Sequence, residues 1–129
     1  FEGFLTLEEC AARVAQADIG IVPKLAVGFG NDAFSTKILE FMAIGIPVVA
    51  ADTRIDRHYF SDGSVLFFRP GDAIDLATKV LFLKENHAAR EKQLSAARAL
   101  VATARWDRKK DIYLDILRNL NENNRANKR

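Results

Sequence analysis

An open, doubly wound α/β fold, with a mostly parallel Rossmann-like sheet and extra helices at its C-terminal end, is predicted by two features of the sequence. Short apolar runs of strand length, at Ile19–Pro23, Pro47–Ala51 and Val65–Phe68, alternate with segments of helical periodicity. After the last of these runs only helical patterns follow. Strands separated by helices of this length pair in parallel through right-handed crossovers, which builds a sheet covered by helices on both faces. A chain of 129 residues, 49% apolar and 28% charged, has the composition of a folded body with one core and is too short for a two-domain enzyme.

Taken in order, Phe1–Leu5 is short and aromatic and reads as a strand. Thr6 then stands as the N-cap of a helix carrying Leu7, Ala11, Val14 and Ala15, with Glu9 placed to complete a capping box. The continuous apolar run Ile19–Pro23 is the pattern of a strand buried on both faces. A loop from Lys24 to Ser35 holds Gly28, Gly30, Asn31 and Asp32, and Ser35 or Thr36 can cap the next helix, whose buried side is Ile38, Leu39, Met42 and Ala43. Gly45 ends that helix as a left-handed cap, and Pro47 opens the following strand where its missing N–H costs least. Asp52 to Gly63 reads as a short helix and turn before the strand Val65–Phe68. Gly71 and Asp72 open a helix with Ala73, Leu76, Ala77, Val80 and Leu81 on one face. A further helical pattern runs from about Ala88 to Ala104. A last one follows Trp106, with Tyr113, Ile116, Leu117 and Leu120 in heptad-like spacing and Trp106 and Tyr113 as packing residues. The body is therefore assigned to residues 1–120, and the polar, Asn-rich stretch 121–129 to a disordered tail.

The net charge of +2 selects no class of partner. Basic residues do gather late, at Arg105, Arg108, Lys109, Lys110, Arg118, Arg125, Lys128 and Arg129, and read either as a solvated helix face or as a contact for phosphate or anionic lipid. The single Cys10 has no internal disulfide partner and falls among apolar helical positions, which points to a packing role in a reducing compartment, the cytoplasm. The longest charge-free apolar run, Phe41–Ala51, falls short of the roughly 20 residues that span a bilayer. Phe1 reads as a cut end inside a longer protein.

In an open parallel sheet the ligand crevice lies beyond the carboxyl ends of the strands. The segment after Val22 is in that position. Gly28 and Gly30 allow close backbone approach, Ser35 and Thr36 bring hydroxyls, and the free N–H groups of the following helix favour an anion such as phosphate. Helical spacing places Thr36, Lys37 and Glu40 on one polar face, with Ile38, Leu39 and Met42 toward the core. Lys37 suits a diphosphate as a point charge, and Glu40, one turn deeper, suits a ribose diol. The competing reading of Lys37 and Glu40 is a surface ion pair, and that of Asn31-Asp32 an ordinary turn pair. His58 and His87 lack ligating neighbours at metal spacing, so no metal site is expected, and His58 is placed at the surface.

The run from Phe34 to Val49, Phe-Ser-Thr-Lys-Ile-Leu-Glu-Phe-Met-Ala-Ile-Gly-Ile-Pro-Val-Val, resembles the donor-site signature of GT-B glycosyltransferases, in particular the retaining family 4. Asp18–Pro23, Asp62–Asp72 and the helix from Trp106 to Leu117 extend the resemblance over roughly residues 1 to 120. It implies that Glu40 contacts the ribose of a nucleoside-diphosphate sugar and that Ser35, Thr36, Lys37 and Ile38 meet its diphosphate. Asp32 stands where many members carry a glutamate near the transferred sugar, so the implied catalytic pair is Lys37 and Asp32. After Ala51 many members have a glycine pair and Pro-Glu; Thr53–Phe60 departs from that pattern and is assigned no role.

What the resemblance implies is part of a GT-B C-terminal domain, binding a nucleotide-sugar donor without a cofactor or metal. Its N-terminal acceptor domain, and two strand and helix units of the sheet, are absent from this sequence. The partners expected are the donor, that acceptor domain, and a peripheral contact at the inner face of a membrane, with no nucleic acid. An uncovered sheet edge would also make the chain self-associate. The alternatives are a non-catalytic nucleotide-binding module and a basic helical interaction domain.

Overall fold

The computed structural model describes residues 2–126, with side chains described through Asn121. Three parallel strands, β1 (Gly20–Val22), β2 (Val48–Ala51) and β3 (Leu66–Phe68), lie in the order β1-β2-β3, with Ile21 beside Val49 and Ala50 beside Phe67. Around them run α1 (Leu7–Val14), α2 (Phe29–Asp32), α3 (Thr36–Ile44), α4 (Arg54–Tyr59), α5 (Ala73–Glu85), α6 (His87–Ala104) and α7 (Trp106–Ala126). The α/β architecture, the parallel sheet and the added C-terminal helices are those the alternating pattern predicts.

The pleat of β2 divides the core into two layers. Val48 and Ala50 join Ile38, Met42 and Val65 under α3 and α6, whereas Val49 and Ala51 join Phe68 and Leu83 under α5. All four β2 residues are buried, as a central strand requires. Where β2 extends beyond the start of β3, helix α6 takes over as hydrogen-bonding neighbour. The Val48 N–H donates to Gln93 Oε1 at 3.2 Å, and Gln93 Nε2 donates to the Val48 carbonyl at 2.9 Å. The primary amide thus does for one residue what a strand would do.

Caps fix the helix ends. Thr6 and Glu9 form the expected capping box, Asp72 accepts from the N–H groups of Ile74 and Asp75, and Gly45 closes α3 at φ 88° in the left-handed region. Gly20 carries no side chain because a Cβ there would lie 2.6 Å from the Phe41 ring, which brings α3 down onto β1.

Several expectations are corrected. Residues 2–6 form no strand, and Phe1 lies outside the described residues. Strand β1 is an edge among the described residues and is covered on one face only, so Ile21 is 42% exposed between buried Gly20 and Val22. Cys10 and Ala43 are exposed rather than packed, because α1 buries none of its residues and Ala43 turns away from the sheet. Trp106 and Tyr113 pack their rings on each other at 5.8 Å yet stay more than half exposed, since among the described residues α7 touches only α6. That helix continues to Ala126, past Asn121; residues 127–129, with Lys128 and Arg129 of the basic run, lie outside the described residues.

Candidate functional site

The carboxyl end of β1 and the segment leading into α3 form a cleft of about 370 Å³, lined by Ile21–Lys24 and Ala33–Lys37. Its floor is the end of β1, and its far wall is the start of α3. The N–H groups of Thr36 and Lys37 open this helix without a backbone carbonyl partner among the described residues, which leaves partial positive charge at the cleft.

The predicted residues are distributed as follows. Ser35, Thr36 and Lys37 line the cleft together. Ile38 does not: its side chain is fully buried, and its N–H is already bonded to the Ser35 carbonyl at 3.2 Å. Thr36, Lys37 and Glu40 are all exposed, on the face of α3 opposite Ile38 and Met42, and no Lys37–Glu40 ion pair forms among the described residues. Glu40 sits one turn along the helix, outside the cleft lining. Asp32 ends α2, a turn of helix that the glycine-bearing loop did not advertise, and its carboxylate pairs with Arg54 of α4 while Asn31 Oδ1 accepts from the Arg54 N–H at 2.9 Å. Gly30 serves the loop itself, because a Cβ there would stand 2.2 Å from the Leu25 carbonyl oxygen.

Ser35 occupies the N-cap position of α3 but makes no side-chain cap. Its hydroxyl is turned inward and donates to Asp56 Oδ2 at 3.2 Å. Asp56 is fully buried, and the same oxygen also accepts from Thr53 Oγ1 at 2.8 Å and from the Lys24 ammonium at 2.7 Å. Lys24 Nζ donates in addition to the Ala33 carbonyl at 2.8 Å. A buried carboxylate is tolerated only with such partners. Asp56 Oδ1 has none among the described residues.

Lys24, Thr53 and Asp56 went unread in the sequence. Lys24 carried one signal, a cation directly after a buried strand at the crevice. Asp56 lay in the loop to which no role was assigned.

Beside this cluster, Arg57 binds Asp52 at 2.7 and 2.8 Å, also pairs with Asp62, and lies 4.1 Å over the Phe67 ring. The guanidinium hydrogen bonds hold the Asp52 carboxyl below the usual carboxylate range against the opposing effect of burial, and the Asp52 bond raises Arg57. His58 is exposed against Tyr59. No cluster of three or more metal-ligating side chains occurs among the described residues, and no helix there is long and apolar enough to cross a membrane.

A parallel sheet whose strand ends open on an N–H-rich helix start with a nearby lysine is an α/β arrangement whose geometry suits an anionic ligand. Comparison with known proteins gives the family. The family described as Glycosyl transferases group 1 matches residues 1–86, and the chain belongs to that family. It is 33% identical over 97 residues to a phosphatidyl-myo-inositol mannosyltransferase of Mycobacterium leprae, covering 74% of this chain and 25% of that protein. A protein of the same name from Propionibacterium freudenreichii is 33% identical over 109 residues, 82% of this chain and 27% of its own length. The Mycobacterium tuberculosis protein of that name is 31% identical over 101 residues, 74% of this chain and 26% of its own. The chain thus spans about a quarter of the length of these relatives.

Proposed function

We propose that this chain carries the donor grip of a glycosyltransferase that moves a hexosyl group from a nucleoside diphosphate to a glycan or lipid-linked acceptor with retention at the anomeric carbon. The observation that supports it most is the gathering of Ser35, Thr36 and Lys37, with unpartnered helix N–H groups, at the strand ends where the family motif lies. In this reading Thr36, Lys37 and the first-turn N–H groups receive the diphosphate, and Glu40 accepts from the ribose hydroxyls one turn away. The bond from the anomeric carbon to the diphosphate oxygen breaks as the acceptor oxygen bonds to that carbon from the same face and passes its proton to the departing diphosphate oxygen. Stabilising the charge that develops on the departing diphosphate is then the main contribution of these groups. Ser35 acts by holding the loop, and Ile38 by burying the helix.

Asp32 is proposed to face the transferred sugar only after release from Arg54. The mannosyl donor and phosphatidyl-inositol acceptor named for the relatives are one instance of the class. The acceptor would bind a further domain of a longer protein, at the membrane face. The uncovered outer edge of β1 supports further strands pairing there, and self-association of the chain without them.

The test is titration of the full-length protein with GDP, UDP and ADP and their hexose conjugates, beside Glu40→Ala and Lys37→Ala. Each variant is expected to bind the preferred diphosphate about ten-fold or more weakly, the loss typical of one charge-assisted contact. Binding to no nucleotide, or unchanged affinity in Glu40→Ala, would sink the assignment. Hexosyl transfer by the parent separates an enzyme from a nucleotide-binding module.

A further inference from the structure

The Lys24–Asp56 pair is the one buried ion pair at the cleft among the described residues, and the family motif does not include it. An ammonium group has three protons. Asp56 Oδ2 and the Ala33 carbonyl take two of them, at 2.7 and 2.8 Å, and no other protein acceptor meets Lys24 Nζ among the described residues. The Lys24 side chain is 16% exposed and lines the cleft opposite Thr36 and Lys37. Asp56 itself is sealed from solvent, so it meets no ligand directly; it collects Lys24 from the β1 loop, Ser35 from the start of α3 and Thr53 from the start of α4 on one oxygen.

Building on the proposed donor site, we propose that Lys24 is a second cation for the donor diphosphate, using its remaining proton, and that Asp56 is the positioning residue that holds it and both cleft walls in place. A surface lysine such as Lys37 must be ordered when the ligand arrives. Lys24 is already fixed, which lowers the entropy lost on binding. The pair is neutral as a whole, so its effect is local and directional rather than a general attraction for anions.

Because Lys24→Met alone leaves a buried carboxylate without its countercharge and is expected to destabilise the fold, the decisive variant is Lys24→Met with Asp56→Asn, which removes both charges and keeps the net charge. Asp56→Asn alone serves as its partner. Both are made in the full-length protein and titrated with GDP, UDP and ADP and with guanosine, uridine and adenosine, with urea unfolding as the control for folding. The double variant is expected to unfold as a native protein does, to bind the preferred diphosphate about ten-fold more weakly, and to bind the nucleoside as the parent does. Asp56→Asn is expected to show a smaller loss confined to the diphosphate. Parent-like diphosphate affinity in the double variant, or equal losses for diphosphate and nucleoside, overturns the proposal. If Glu40→Ala still loses affinity in that case, the donor site stands and only the role of Lys24 and Asp56 falls; if the parent binds no nucleotide, both fall.

Discussion

Replacing Gln93 by leucine removes the one side chain that satisfies both backbone groups of Val48 at the end of the sheet. Gln93 is 5% exposed and Val48 1%, so water does not reach the groups left behind. Each buried polar group that loses its partner costs about 1–3 kcal/mol, and two are orphaned together. The apolar leucine recovers part of this by its own burial, on the order of 1 kcal/mol. The net loss is expected to be about 1–5 kcal/mol, measured by urea unfolding as a lower midpoint with an unchanged slope. Gln93→Glu gives the sharper test, because its carboxylate repels the Val48 carbonyl, whereas its protonated form restores a donor. Its folded pKa is therefore raised, and the stability it contributes is present below the unfolded value near 4.3 and is lost as pH rises through the folded value. A Gln93→Leu protein within about 0.5 kcal/mol of the parent, or a Gln93→Glu protein whose difference from the parent ignores pH, would refute the reasoning.

Gly20→Ala is expected to lower stability by about 1–3 kcal/mol in urea unfolding, since the new Cβ meets the base of the Phe41 ring rather than a movable tip. Asp72→Ala removes two cap bonds of α5 and should cost about 1 kcal/mol in the same assay. Asp52, whose pKa is depressed by the Arg57 hydrogen bonds, contributes stability that is present above its unfolded value near 3.9 and is lost as pH falls through the folded value. Acid unfolding of Arg57→Met should therefore be less steep below pH ~4 than that of the parent, with the difference modest because the pair is partly exposed.

The elements with strong periodicity or sharp punctuation were legible in the sequence. The β2 run, the αL glycine after α3 and the Thr6-Glu9 box each encode their own geometry over a few residues. What escaped was decided by neighbours. Nothing in Ile19–Pro23 tells an edge strand from a central one, because the difference is whether another strand is present. Nothing in a serine before a helix tells whether its hydroxyl caps the helix or turns to a carboxylate 21 residues later. Gln93 was a polar residue on an apolar helix face, a signal that something buried must answer it. The site shows the same division: the placement of Ser35, Thr36 and Lys37 follows from local sequence, whereas the Asp56 cluster depends on three loops meeting.

That convergence on a single carboxylate oxygen has a consequence for how such a cleft can diversify. Changes at Lys24, Ser35 and Thr53 are coupled to one another through Asp56, because all three donate to the same Asp56 oxygen. Asn31, Asp32 and Arg54 are joined by exposed contacts that solvent can replace. If the cleft holds the proposed donor, adaptation to a different sugar or base should therefore fall on these solvent-exposed contacts rather than on the buried four-residue cluster.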